Sequence, residues 1–280
     1  MRNVLLKISY DGTNFCGWQR QNSCESHADA MRTVQGEIEK VLEQLHKAPT
    51  TLQGSGRTDS GVHAIAQYAN FISPIDSMSV DRYIPALNSL LPHDIRIHSA
   101  REVSLDFSAR FNAVSRTYRY FINTNPTPFA HEMPYIWSIR RVPDIEKLNE
   151  MASVLRGETD CTTFASSGDK SESKCRYIYD AHFFWENDEN FGRGQSYREP
   201  SSSGQNFRNR LVFEITANAF LWKMVRSITG TLIEFEGKGL GAKDFKAALD
   251  SHDRSCAGIT APPTGLFLWD VCYDGVRVHK

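Results

Sequence analysis

The sequence predicts an α+β fold with largely antiparallel sheets. Some segments alternate apolar and polar residues with the period of a strand, and others repeat apolar residues with the period of a helix. The two kinds do not follow one another in the strand–helix rhythm of a doubly wound parallel sheet. Residues 3–10 set Val4, Leu6 and Ile8 on one side and read as a strand, closed by the turn signal Tyr10-Asp11-Gly12-Thr13. Residues 33–46 carry Val34, Ile38, Val41, Leu42 and Leu45 at helical spacing, with Thr33 as N-cap. A short strand near 50–53 leads into a glycine-rich segment, and 64–72 reads as a further strand. Tyr83, Ile84, Leu87, Leu90 and Leu91 give a helix over 81–91, stopped by Pro92.

The second half repeats this mixture. A strand is expected at 117–123, and a helix over 144–155 with Ile145, Leu148, Met151, Ala152 and Leu155 inward. Strands are expected near 176–185 and 210–217, a long helix over 219–236, a short one over 243–250, and a closing strand at 266–273. The predicted domains are 1–109 and 110–280, each with strands and helices. Two stretches, 22–32 and 186–209, read as insertions or functional loops.

At about 150 residues per domain, 280 residues suit two domains. Lys and Arg number 32 against 33 Asp and Glu, which excludes a uniformly polybasic nucleic-acid binder. The charge is unevenly spread, however. Residues 101–141 hold six arginines against three acids, and 193–226 hold six Lys or Arg against two. Residues 25–45 and 144–160 are each net acidic by three. The basic stretches also carry aromatics (Phe107, Phe111, Tyr118, Tyr120; Tyr197, Phe207, Phe220, Trp222), a pairing suited to phosphate contact and base stacking. The six cysteines include no C-x-x-C pair, arguing against a zinc ribbon or a redox motif. The start has too short an apolar stretch for a signal peptide, and no apolar run reaches about 18 residues. The expectation is a cytoplasmic enzyme or binding protein with reduced thiols.

Three segments carry candidate chemistry. Gly54-Ser55-Gly56-Arg57-Thr58-Asp59-Ser60-Gly61-Val62-His63-Ala64 has three glycines in eight residues and one acid. It is neither a P-loop nor G-x-G-x-x-G. A hairpin loop with a solvated Asp59 is the bland reading; against it, no hairpin requires Arg-Thr-Asp between its glycines. His63 reads as a structural hydrogen-bonder. In Ala109–Tyr120, Tyr118 and Tyr120 share one strand face opposite Arg119, and Arg110 and Arg116 flank them. Core packing and RNA contact both remain open for this segment. The third, Asn218–Leu232, is apolar nearly all round and should be buried, so Arg226 within it needs a partner. That partner is a structural acid, a catalytic carboxylate or a phosphate. Gly230 marks a close approach of backbone or ligand.

Together these segments resemble the tRNA pseudouridine synthase A (TruA) family from Met1 to about Tyr273. The resemblance rests on Tyr10-Asp11-Gly12, Gly17-Trp18-Gln19-Arg20-Gln21 and Gly56-Arg57-Thr58-Asp59-Ser60-Gly61-Val62-His63-Ala64. Phe107-Ser108-Ala109-Arg110-Phe111, Tyr118-Arg119-Tyr120, Met224-Val225-Arg226, and Ala257-Gly258 through Gly265-Leu266 add to it. It implies a pseudouridine synthase fold: two related α/β halves flanking a basic active-site cleft, in a homodimer without metal or cofactor. It further implies isomerisation of uridine at positions 38, 39 and 40 in the anticodon arm of tRNA. The matching positions make Asp59 the catalytic aspartate, Tyr118 the tyrosine packed on the target base, and Arg226 the arginine pairing with the aspartate. Arg57, Arg110 and Arg20 are substrate-binding candidates. Ser60 stands where alanine is common in the family, and the stretches 22–32 and 186–209 are longer than expected. A non-catalytic tRNA-binding protein or chaperone, and a nucleoside hydrolase, are the alternatives from other classes.

Overall fold

The computed structural model describes residues 1–20, 31–186 and 210–278. The loops expected at 22–32 and 186–209 lie outside the described residues except at Met31, Arg32 and Glu186. In chain order the larger elements are β1 (Arg2–Tyr10), α1 (Val34–His46), β2 (Gln53–Gly54), β3 (His63–Ser73), α2 (Tyr83–Leu90), β4 (Ile95–Val103) and β5 (Ser115–Asn123). There follow β6 (Trp137–Ser138), α3 (Ile145–Ser153), β7 (Gly157–Asp160), β8 (Cys175–Glu186), β9 (Arg210–Ala217), α4 (Met224–Gly237), α5 (Ala242–Asp250) and β10 (Leu266–Cys272). The result is α+β with mixed but mainly antiparallel pairing. No helix among the described residues is long and apolar enough to cross a membrane.

The chain forms two compact units. The first comprises 1–118, 216–219 and 266–280; the second comprises 119–215 and 220–265. In the first, the strand order is β4-β1-β3-β10, with β2 on β3. β1 is paired along both edges, and Val4, Leu5, Leu6 and Ile8, which alternate between its two faces, are all buried. It runs antiparallel to β3 (Leu6 opposite Ala69) and to β4 (Leu6 opposite Ala100). β10 joins β3 in parallel, with Phe267 opposite His63. α1 starts where expected: the Thr33 hydroxyl accepts from the Gly36 N–H, and Val34, Ile38 and Leu42 enter the core.

β4 was not expected from the sequence. Only Ile95, Ile97 and Ala100 of it are buried. It lies at the end of the strand order, where polar and charged residues such as Arg96, His98, Arg101 and Glu102 guard an edge and blur the alternation.

In the second unit the order is β5-β9-β8-β7, with β6 parallel to β5. α3 is capped by Asp144, which accepts from the N–H groups of Glu146 and Lys147. α4 begins at Met224, five residues later than the start expected at 219. Lys223 takes a left-handed conformation (φ 60°) that no helix can pass through, so the apolar residues before it belong to a turn.

Most of α4 is buried, with Arg226 and Glu234 only partly so. Arg226, Gly230 and Glu234, spaced four apart, face the segment Gly258–Ala261. The Ala261 N–H donates to the Arg226 carbonyl, the Ile259 N–H to the Glu234 carboxylate, and the Gly258 N–H to the Thr231 hydroxyl. A Cβ on Gly230 would lie 2.0 Å from the Ile259 carbonyl oxygen, so this glycine is where backbone meets backbone. Gly230→Ala is therefore expected to destabilise by about 1–3 kcal/mol, the range for overpacking. In an exposed helix interior the same change stabilises by ~1 kcal/mol. Denaturant unfolding checks this, and a stabilised variant contradicts the close approach.

Candidate active site

Asp59 sits on a loop held from both sides within the first unit. On one side the Ser55 N–H donates to the Tyr68 carbonyl, the Ser55 hydroxyl to Gln67 Oε1 (2.5 Å), and Gln67 Nε2 to the Gly56 carbonyl (2.9 Å). On the other, the Trp18 N–H donates to the Thr58 carbonyl, while the Ser60 hydroxyl and the Gly61 N–H donate to the Phe15 carbonyl. Gly17 makes the second clamp possible: its φ is +91°, and a Cβ there would lie 2.6 Å from the Thr58 oxygen. The Val62 N–H closes a turn onto the Asp59 carbonyl. His63 is fully buried, with Nδ1 accepting from the Gly12 N–H and the ring stacked on Phe267. It is a structural group, as expected.

Two tyrosines accompany the carboxylate. Tyr118 is buried, and burial followed by the Asp59 charge raises its pKa well above the ordinary range. The Tyr10 hydroxyl lies 2.8 Å from the Thr58 hydroxyl, and burial raises its pKa as well. Both phenols keep their protons at neutral pH, so the loop presents an acid beside neutral hydroxyls.

Arg116 shares the inward face of β5 with Tyr118 and Tyr120. Its guanidinium donates to the carbonyls of Ala113 (3.2 Å), Asn218 (2.8 Å), Ser55 (2.9 Å) and Arg110 (2.7 Å). Burial lowers its pKa to about 10 without removing the charge at neutral pH. Of the two readings left open for this segment, Arg116 takes the structural one: its donors go to backbone carbonyls, and it ties the start of the Asp59 loop to β5. The signal lay in the strand period, which puts residue 116 on the face of 118 and 120.

The other expected side chains are placed as follows. Arg57 and Arg110 are exposed, and the Arg110 guanidinium lies 5.2 Å from the Phe111 ring centre. Arg20 forms an ion pair with the buried Glu39 at 2.9 Å. In the second unit Arg226 is half-buried, and its Nε donates to the Ala261 carbonyl at 2.8 Å, which fixes the plane of the guanidinium. The Tyr120 hydroxyl donates to the Pro262 carbonyl, so Tyr120 is a core anchor rather than a stacking surface. Tyr10, Thr58 and Gln67 were not singled out as site residues, because their roles arise only from pairing across β1, β3 and the loop.

A family model described as tRNA pseudouridine synthase matches residues 7–112 and 151–274. The chain belongs to this family. The matched spans contain Asp59 and Arg226, whereas Tyr118 falls between them. Among curated relatives, a tRNA pseudouridine synthase A of Treponema denticola is 56% identical over 272 residues, covering 97% of this chain and 93% of its own. One from Treponema pallidum is 51% identical, covering 92% and 84%. One from Borrelia duttonii is 38% identical, covering 98% and 100%.

Two stability measurements test the geometry of this synthase loop. Arg116→Lys cannot serve four carbonyls and is expected to cost about 3–5 kcal/mol in denaturant unfolding, as when a buried charged network is broken. A loss below 1 kcal/mol would show the clamp to be dispensable. The raised tyrosine pKa values make stability full below pH ~10 and falling above it, because unfolded tyrosines ionise there while the buried ones stay protonated. Tyr10→Phe is expected to make that fall shallower by about 1.4 kcal/mol per pH unit; an unaltered slope contradicts its burial as a phenol.

Proposed function

We propose that this protein isomerises uridine to pseudouridine in tRNA, in the anticodon arm at positions 38, 39 and 40. Asp59, Tyr118 and Arg226 form the catalytic set, carried by an N-terminal half (1–109) and a C-terminal half (110–280). The observation that carries the reading is a carboxylate on a doubly clamped loop beside a protonated phenol, in a chain of the tRNA pseudouridine synthase family.

The reaction breaks the bond from N1 of uracil to C1′ of ribose, turns the base, and joins C5 to C1′. Atoms balance within the nucleotide: C5 loses a proton and N1 ends as N–H. The Asp59 carboxylate acts as nucleophile or base during this exchange and is regenerated at its end, and burial under substrate would oppose its ionised form. Arg226 offsets that cost by supplying a cation whose plane is already fixed. Tyr118 offers a flat face to the uracil and a hydroxyl proton to hydrogen-bond it. The base must be flipped out of its stack at a cost of a few kcal/mol, and phosphate contacts from Arg57, Arg110 and Arg20 offset that cost. The protein works without metal or cofactor, as a cytoplasmic homodimer.

Incubation with an unmodified tRNA transcript and mapping of pseudouridine tests this reading. Product confined to positions 38–40, with binding that weakens steeply as salt rises, is expected. Free uracil would favour a hydrolase, and tight binding without product would favour a tRNA chaperone.

A further inference from the structure

A pocket of about 160 Å³ lies within the second unit, at the N-terminus of α4. Lys223, Ser227, Arg254, Thr260, Ser166 and Ser167 line it together with Phe164. At ~30 Å³ per water it holds about five waters, well below the ~300–1,000 Å³ of sites that enclose a whole small molecule. It suits one polar group of a larger ligand.

Its lining is cationic and rich in hydroxyls. Lys223 forms no ion pair within 4 Å among the described residues and lies 4.8 Å from the Trp222 ring centre, with that ring 46% exposed. Arg254 donates to the Gly258 carbonyl and the Thr260 hydroxyl, both neutral, and its charge also acts on the Glu234 carboxylate. Nearby acids are already engaged. Asp169 pairs with Lys174 and accepts from the Trp222 N–H, and Glu234 pairs with Lys238. The first turn of α4 adds the positive end of a 14-residue helix.

The observation that points to a ligand is Ser227. It is 1% exposed, its hydroxyl has no hydrogen-bond partner among the described residues, and it lines this pocket. A buried hydroxyl without a partner is costly unless something fills the role. Lys223 adds a second oddity, a lysine in the left-handed region, which brings an ammonium rather than a glycine to the pocket's edge.

We propose that this pocket binds one phosphate of the substrate's RNA backbone, taking its oxygens on Lys223 Nζ, the Ser227 hydroxyl and the α4 N-terminus, beside the exposed Trp222. Lys223 and Ser227 are thereby substrate-positioning residues next to Arg226 on the chain. This rests on tRNA being the substrate.

The test is affinity for unmodified tRNA transcript as a function of salt, in wild-type protein and three variants. Lys223→Asn keeps a residue that tolerates the left-handed backbone and removes the charge. It should weaken binding about tenfold and make the slope of log K against log salt shallower by about 0.7–0.9. Lys223→Arg should retain both. Ser227→Ala should weaken tRNA binding while leaving the Tm equal or higher, since it deletes a hydroxyl with no partner to lose. Wild-type slope and affinity in Lys223→Asn and Ser227→Ala would overturn the proposal while leaving the enzyme reading intact. Inorganic phosphate that raises the Tm of wild type but not of Lys223→Asn, with equal tRNA affinity in both, would assign the pocket to free phosphate and overturn the RNA assignment. Wild-type protein that neither binds tRNA transcript nor forms pseudouridine would remove the substrate reading and this proposal together.

Discussion

The guanidinium of Arg116 is the constraint on which the Asp59 loop depends. Buried on β5, it donates to the carbonyls of Ser55, Arg110, Ala113 and Asn218. These belong to the loop, to the segment before β5, and to the residue just after β9. A charge taken out of water is tolerable only with its donors satisfied, so these three segments are fixed to β5 wherever Arg116 stays buried. Gln67 and Ser55 then set the loop from β3, and Gly17 and Trp18 set it from the other side. A carboxylate placed so firmly needs little reorganisation when a substrate arrives, which is what preorganised catalysis requires.

Most core elements were legible in the sequence because burial imposes a period. β1, α1, β3 and α3 declare themselves through Val4, Ile38, Phe71 and Leu148, each in the core. β4 was hidden by the charges of an edge strand. The start of α4 was misread because Phe220 and Leu221 continue an apolar pattern that the left-handed Lys223 interrupts, and a backbone dihedral leaves no trace in hydrophobicity. The site divides similarly. Asp59, Tyr118 and Arg226 stood out by motif, whereas Arg116 resembled its arginine neighbours until its acceptors were seen.

Charge counting shows the same limit. Thirty-two cations against 33 anions disguise basic segments, yet a local count also overstates the charge left for RNA. Within 101–141, Arg116 is spent on carbonyls, Arg119 on Glu214 and Arg141 on Glu236. The α4 N-terminus contrasts with this: among the described residues, the lysine there has no carboxylate within 4 Å and a buried serine hydroxyl has no partner. Positive charge available to a polyanion is thus set by which cations the fold leaves uncommitted, not by their number.

In the proposed function the Asp59 carboxylate, held by this framework, performs the chemistry. Single-turnover pseudouridine formation by Asp59→Asn, which keeps the side chain's shape and removes its charge, tests it most directly. No detectable product is expected, with tRNA affinity within about threefold of wild type because phosphate contacts dominate binding. Product formed at a rate near that of wild type would contradict it.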